Sequence, residues 1–363
     1  MNRKARLFVV YYIENGGISM KTESKSYLGL ILHNAFRFVI NVGFVFIFQI
    51  IFGVENILPG VAIGVGFTML PMMDLPIRPW TMFFIIMLLY TGGGLAGELA
   101  LVSPVLAFPL YFLFTVLIIL LSNEPVAYKP NISFLLCFVF SQATPLPFDL
   151  LASRMNAVFF GGLIVGVGTL INWYRYGYGK NGRTMRQQIQ LCAKNRSYIF
   201  RMSFGIAFAM TTGMLLHLQK PLWISIVVMS LTQLEFSETM ERIKYRFIGT
   251  MIGVVLFFLL FQILIPQQYA MYVVMFFGYI GFFLPDYKYK QIINAVSALN
   301  ASLVLLDGVT AIEQRIACLV AGIVIVIVIY ALTFVMKKLK KLQQDIQHYV
   351  LADDFPYTTS KKG

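Results

Sequence analysis

Arginines placed within or beside long apolar stretches are the residues of this sequence best suited to chemistry. They are Arg37, Arg154, Arg201 and Arg315. Each charge is costly at membrane depth, so an embedded ionisable side chain is by default a candidate for binding or conducting a charged group. Embedded cations outnumber embedded carboxylates, which favours an anionic solute. Snorkelling to headgroups is the open alternative for Arg37 and Arg201.

Two carboxylates and two amides extend the candidate set. Glu98 follows the glycine-rich run Gly92–Gly97, and Asp307 follows another apolar stretch; both are candidates for proton coupling. Asn294 and Asn300 fall near the helical face of Asp307 by spacing. These amides either line a pathway or knit helices together, and the pattern supports both interpretations equally.

Structural ion pairs are the open alternative for the other two arginines. Asp149 is close to Arg154 in the sequence, and Asp307 and Glu313 are close to Arg315. The sequence therefore predicts either binding charges or paired ones at these positions.

Motifs for catalysis and metal binding are missing from the sequence. The three histidines and three cysteines are scattered, without metal-ligand or disulfide spacing. No phosphate-binding loop, dinucleotide fingerprint or nucleophile elbow occurs. We therefore predict no enzyme activity, no catalytic residue, no metal and no cofactor.

Composition predicts an all-α, polytopic membrane protein. Hydrophobic residues make up 58% of the chain and charged residues 12%, against about 25% charged in soluble domains. A bilayer core takes about 20 apolar residues as helix, which divides the sequence into ten to twelve spans. The twelve are 30–53, 57–73, 81–98, 103–122, 131–148, 153–173, 198–217, 221–234, 247–265, 267–285, 290–307 and 312–336. The short spans 57–73 and 221–234 are predicted to be half-helices or tightly packed spans.

Charge placement predicts the orientation. With a cytoplasmic N-terminus, all but five of the 29 lysine and arginine residues lie on the cytoplasmic side. Positive charge follows the cytoplasmic face, so both termini are predicted to be cytoplasmic in a multi-pass protein of the cell membrane. The net charge of +13 is then a topology signal attracted to anionic lipid, and we predict no nucleic-acid partner.

The apolar segments form two similar series, one in each half of the chain. Phe36-Arg37 recurs as Phe200-Arg201, and Arg154 with Gly161 recurs as Arg315 with Gly322. Internal repeats are the usual construction of a transporter. Six spans in each copy make both copies enter from the same side, which predicts parallel repeats with equivalent arginines at equal depth.

This organisation predicts five segments: a basic N-terminal segment 1–27, a first repeat 28–173, a basic linker 174–197, a second repeat 198–336 and a basic tail 337–363. The N-terminal segment is predicted to be a surface anchor and the tail a helix lying on headgroups. A homo-oligomer is left open.

A pattern within 221–253 resembles the fusaric acid resistance-like membrane family, which includes aromatic acid exporters. Pro221-Leu222-Trp223 opens an apolar helix, and Arg246, Gly249, Thr250 and Gly253 match the R-x-x-G-T-x-x-G start of the family's next helix. The resemblance covers roughly 198–336, and Arg315 with Gly322 matches the closing helix loosely. No G-T-x-x-G follows Arg78 in the first half.

The resemblance implies export of small organic, chiefly aromatic, carboxylates, and it adds Arg246 to the candidate binding residues. The predicted partners are the lipid bilayer and a small-molecule anion. Two alternatives stay open: efflux of cationic or amphiphilic compounds, and a non-transporting membrane assembly or envelope factor.

Overall fold

The computed structural model describes residues 8–14, 17–23, 27–216, 218, 220–284, 286–303 and 306–353. Thirteen α-helices follow one short antiparallel hairpin of strands β1 and β2. The helices are α1 (Tyr27–Phe52), α2 (Ile57–Met69), α3 (Pro79–Leu99), α4 (Pro104–Ser122), α5 (Ile132–Ala143), α6 (Leu151–Tyr176), α7 (Met185–Cys192), α8 (Arg196–Leu215), α9 (Leu222–Leu231), α10 (Phe236–Phe257), α11 (Ala270–Ile280), α12 (Tyr287–Ser302) and α13 (Gly308–Asp353).

The predicted all-helical membrane class is confirmed. Eight helical segments of the described chain are long and apolar enough to cross a membrane, and all twelve predicted spans contain a helix. Most helix ends are set by local chemistry, with Pro79 and Pro104 at the starts of α3 and α4, where the missing N–H is not needed. Helix α7, in the predicted linker, begins with a capping box of Thr184 and Gln187.

The prediction of a short span is confirmed at 221–234, which holds the 10-residue α9, but it is wrong at 57–73. Helix α2, with a 3-10 turn at each end, forms a segment long enough to cross, whereas α5 has 12 residues, α9 has 10 and α11 has 11. A helix of 10 residues spans only about 15 Å, half of a hydrocarbon core. The end of α5 is explained by Pro145 and Pro147, which terminate the helix early.

The chain ends also differ from expectation. Strands β1 (Phe8–Glu14) and β2 (Gly17–Glu23) form a hairpin that we did not predict, although the dipeptide Asn15-Gly16, which stands between them in the sequence, favours hairpin turns. The tail to residue 353 continues α13 as one 46-residue helix, rather than forming a separate surface helix. The basic residues Arg3, Lys4 and Arg6, and the tail after 353, lie outside the described residues.

The helices form two compact units. The first unit comprises Met1–Ile57 and Tyr245–Glu313, and the second comprises Leu58–Lys244 and Gln314–Gly363. In the first unit α1 packs on α11, and α11 on α12. In the second unit α3 packs on α5 and α6, α4 packs on α8, and α8 packs on α9. The units therefore cut across the two sequence halves.

Candidate functional site

Helices α3 and α5 of the second unit lie side by side in one register. The rings of Tyr90 and Phe134 are 4.9 Å apart between centroids. Two turns further along α3, a Cβ atom at Gly97 would lie 3.1 Å from the backbone nitrogen of Gln142, so only glycine allows this close approach. The two helices run in the same direction, and residues of equal height face each other.

Polar side chains line this contact, and we call them the polar column. Its members are the buried hydroxyls of Tyr90, Tyr111, Ser133 and Ser141, which have no hydrogen-bond partner among the described residues, and Oε1 of Glu98, whose contact with Arg154 is an ion pair. Burying an unpaired polar group is costly, and most native buried groups are paired. A concentration of such groups at membrane depth therefore needs an explanation beyond packing.

The polar column has two levels. The Tyr90 hydroxyl faces Ser133 without reaching hydrogen-bond geometry, and both lie next to Gly66 of α2. Glu98 and Ser141 stand eight residues further along α3 and α5, which is about 12 Å of helix. Tyr111 reaches in from α4 and faces Gln142.

Arg154 of α6 lies at the Glu98 end of the column and is completely buried. Its Nη1 lies 3.5 Å from Oε1 of Glu98 and donates to the Ser141 carbonyl at 3.2 Å. Its Nη2 donates to the carbonyl and hydroxyl oxygens of Thr144, at 2.9 and 3.2 Å. The last carbonyls of a helix have no partner within it, so Arg154 both neutralises Glu98 and caps the end of α5.

Arg201 of α8 binds backbone carbonyls in the connection between α9 and α10. It is 6% exposed, and its Nη2 donates to the carbonyls of Gln233 and Leu234 at 3.2 and 2.8 Å. Its guanidinium lies 4.4 Å from the ring centroid of Tyr330 on α13. The Tyr330 hydroxyl donates to the Gln233 carbonyl and lies 2.7 Å from the hydroxyl of Thr239. Arg201 is therefore held inside the protein, and the snorkelling alternative is wrong for this residue.

Further cations gather at the same end of α9. Lys129 Nζ donates to Oε1 of Gln233 at 3.1 Å, and Arg242 Nη1 donates to the Ser230 carbonyl at 3.3 Å. Burial lowers the pKa of Lys129, and the Arg242 charge lowers this pKa further, while Glu238 opposes them. Cations at a helix C-terminus complement its dipole.

Arg315, the sequence counterpart of Arg154, has a different setting. It is 5% exposed, and its guanidinium lies 5.0 Å from the Trp223 ring centroid, within the range of a cation–π contact. Two turns further along α13, Gly322 packs on Val227 of α9. The two equivalent arginines thus both brace a short helix, Arg154 at the end of α5 and Arg315 near the start of α9.

The remaining candidate arginines, Arg37 and Arg246, lie in the first unit. Arg37 is exposed, with its guanidinium 5.6 Å from the Phe282 ring centroid. Arg246 is 3% exposed, and its Nη1 donates to the Tyr287 hydroxyl at 3.4 Å. Beyond it, Gly249 and Gly253 bring α10 close to α12, as the pattern predicted.

The residues predicted on the α12 face differ in exposure and in hydrogen bonding. Asn294 is exposed, while Asn300 is partly exposed and its Oδ1 has no hydrogen-bond partner in the described chain. Asp307 accepts hydrogen bonds from the backbone N–H groups of Val309 and Thr310 at 3.1 and 3.0 Å. Hydrogen bonds from Thr310 lower the pKa of Asp307, and a carboxylate stabilised in this way suits helix capping better than proton transfer.

Sequence reasoning missed Tyr90, Tyr111 and Ser133. Each is a single hydroxyl in an apolar segment, which is unremarkable alone. The available signal was the matched spacing: Tyr90 precedes Glu98, and Ser133 precedes Ser141, by the same eight residues. That signal becomes informative only once α3 and α5 are known to be neighbours.

Together the apolar helices define a multi-pass membrane protein. Residues 206–329 match the family described as fusaric acid resistance protein-like. This match lies within the 198–336 range for which the sequence resemblance was drawn, and it includes Arg246, Gly249, Thr250 and Gly253. Searches of curated proteins and of solved structures gave no match.

Proposed function

We propose that this protein transports small organic anions, chiefly aromatic carboxylates, out of the cell. The observation that carries the proposal is the polar column, in which unpartnered hydroxyls lead to the buried Glu98–Arg154 pair. Hydroxyls and a guanidinium donate hydrogen bonds to a carboxylate, and charge-assisted bonds of this kind are the strong ones. The family match over 206–329 supports a transporter-like role.

Glu98 and a solute carboxylate compete for Arg154 in this mechanism. Ionised Glu98 occupies the guanidinium and keeps the column closed to anions. When Glu98 takes up a proton its charge is lost, and the solute carboxylate can take its place beside the Arg154 guanidinium. An inside-negative potential favours outward movement of an anion by about 2.3 kcal/mol per charge at 100 mV.

We expect Glu98→Gln to remove the pH dependence of transport. The wild-type rate should rise as pH falls through the pKa of Glu98, because protonation removes the competing carboxylate. Glutamine is neutral at every pH, so the variant should transport at a rate that does not vary with pH. The measurement is movement of labelled hydroxybenzoate in proteoliposomes under a fixed potassium diffusion potential.

Asp149→Asn is the matched control, because Asp149 is exposed near the end of α5 and outside the column. Its pH profile should equal that of the wild type. A Glu98→Gln profile that still follows the wild type would remove Glu98 from the mechanism. Absence of transport by the wild type across organic anions and cationic amphiphiles would favour the assembly-factor alternative.

We also infer that the two halves are parallel repeats. In the first unit, the first helix of the first half, α1, packs on the fourth helix of the second half, α11. In the second unit, the first helix of the second half, α8, packs on the fourth helix of the first half, α4. This reciprocal pairing supports an exchange of equivalent helices between halves.

Orientation is the remaining part of the proposal, with the linker 174–197 and both termini on the cytoplasmic side of the cell membrane. We expect a cysteine at Asn181, an exposed residue, to react with an impermeant maleimide only after the cells are opened. A cysteine at Val309, which is 62% exposed, should react in intact cells. The native Cys137, Cys192 and Cys318 are buried, so the unsubstituted protein is the blank. Reaction at 181 in intact cells would reverse the orientation.

A further inference from the structure

A cavity of 580 Å³ lies in the second unit where α3 begins and α6 ends. Its lining includes two cations, Arg78 and Lys180, and four aromatic residues, Trp80, Trp173, Tyr174 and Tyr178. Pro79, the first residue of α3, also lines it, so the positive end of that helix dipole faces the same space. None of these residues belongs to the polar column.

The loops around the cavity are held together by backbone pairing. The N–H of Arg78 donates to the Arg183 carbonyl at 3.1 Å, and the N–H of Arg183 donates to the Pro76 carbonyl at 2.9 Å. The side-chain Nε of Arg78 donates to the Gly182 carbonyl at 3.3 Å. These bonds fix the loop after α6 against the loop before α3, and they hold Arg78 and Lys180 on one rim.

Two glycines are required for this arrangement. Gly179 has a φ of +64°, and any Cβ there would collide with the Ile77 carbonyl. A Cβ at Gly182 would lie 2.4 Å from the carbonyl carbon of Ile77. The cavity is therefore a built feature of the fold and does not depend on side-chain positions alone.

The cavity stands at the edge of the apolar layer. Segments Pro79–Leu99 and Phe148–Tyr176 both qualify as membrane spans, and their ends meet here. From the rim, Trp80, Phe84 and Leu88 form an exposed strip along one face of α3, with exposed fractions of 54%, 57% and 46%. Aromatic residues at such a boundary are typical of the lipid interface.

We propose that this cavity binds the phosphate of an anionic phospholipid, with an acyl chain lying along the Trp80–Leu88 strip. Two cations and a helix N-terminus suit a phosphate, and basic pockets between membrane helices are suited to anionic headgroups. The apolar strip that starts at the rim favours a lipid over a free anion, because a small soluble anion has no acyl chain to pack against it. The inference is independent of which solute the protein transports.

The test compares binding of phosphatidylglycerol and phosphatidylcholine to the purified full-length protein by native mass spectrometry. Wild type should retain phosphatidylglycerol preferentially. Each cation near the surface contributes about 1 kcal/mol, or roughly fivefold in affinity, so Arg78→Gln with Lys180→Gln should weaken phosphatidylglycerol binding by about 30-fold. Lys180→Gln alone should weaken it about fivefold, and this single variant leaves the side-chain bond from Arg78 to the Gly182 carbonyl in place.

Arg186→Gln with Lys194→Gln is the matched control, because it removes two exposed charges from the same linker outside the cavity. Its phosphatidylglycerol binding should equal that of the wild type. Equal lipid retention by the cavity and control variants would overturn the proposal. Binding of benzoate or inorganic phosphate that is lost in Lys180→Gln, with no preference for phosphatidylglycerol, would also overturn it and assign the cavity to a soluble anion.

Discussion

Arg154→Gln is expected to lower the free energy of unfolding by about 3–5 kcal/mol, the usual cost of removing one partner of a buried ion pair. The change leaves the Glu98 carboxylate without its counter-ion among apolar helices. It also removes charge-assisted donors from the carbonyls of Ser141 and Thr144, which end α5. Two consequences of one substitution therefore act in the same direction.

Thermal unfolding of the purified protein, followed by fluorescence, measures this effect. Arg175→Gln is the control, because Arg175 lies on the same helix but is exposed, and it should unfold like the wild type. Adding Glu98→Gln to Arg154→Gln should recover part of the loss, since the uncompensated charge is gone. If Arg154→Gln unfolded at the same temperature as the wild type, the contacts at the end of α5 would contribute nothing to stability.

Arg201→Gln is expected to destabilise the protein by about 2–3 kcal/mol. Hydrogen bonds to charged groups contribute about 1.5–3 kcal/mol each, and Arg201 makes two to the carbonyls of Gln233 and Leu234, between α9 and α10. A glutamine amide retains at most one of them and loses the contact with the Tyr330 ring. Unfolding of Arg201→Gln, compared with that of Arg196→Gln, measures the effect.

Arg196 is a suitable comparison because it begins the same helix and is exposed. Its substitution should be nearly neutral, as surface changes usually are. If both variants unfold at the same temperature as the wild type, the Arg201 side chain does not stabilise the segment after α9. If Arg201→Gln keeps its stability but loses transport, the arginine acts on the solute instead.

The positions of the helices could be predicted from sequence because apolar length, proline and charge are local signals. Helix α4 was predicted at 103–122 and occurs at Pro104–Ser122. Helix α5 was predicted to reach 148 and ends at Ala143, because apolar length alone set the predicted bound and Pro145 and Pro147 end the helix earlier. Which helices pack on each other was harder to predict, because no local feature of the sequence pairs α1 with α11.

Candidate residues could be found by type, but their partners could not. Embedded charge identified Arg154, Arg201 and Glu98, all of which are buried. Proximity in sequence suggested Asp149 as a partner of Arg154, whereas the structure provides Glu98 from another helix. Arg201 was interpreted as facing a headgroup or a solute, because backbone carbonyls at a helix end carry no residue-type signal.

The unbroken α13 has a mechanical consequence. At about 1.5 Å per residue, its 46 residues extend about 69 Å, more than twice the roughly 30 Å of a hydrocarbon core. The part after Met336 is therefore a rigid extension of the membrane segment, and a tilt of that segment displaces the far end of the helix more than its base. Lys337, Lys338, Lys340 and Lys341 stand at its base and oppose its sinking into the bilayer, so rotation, rather than sliding along the membrane normal, is the motion that this helix can transmit beyond the membrane.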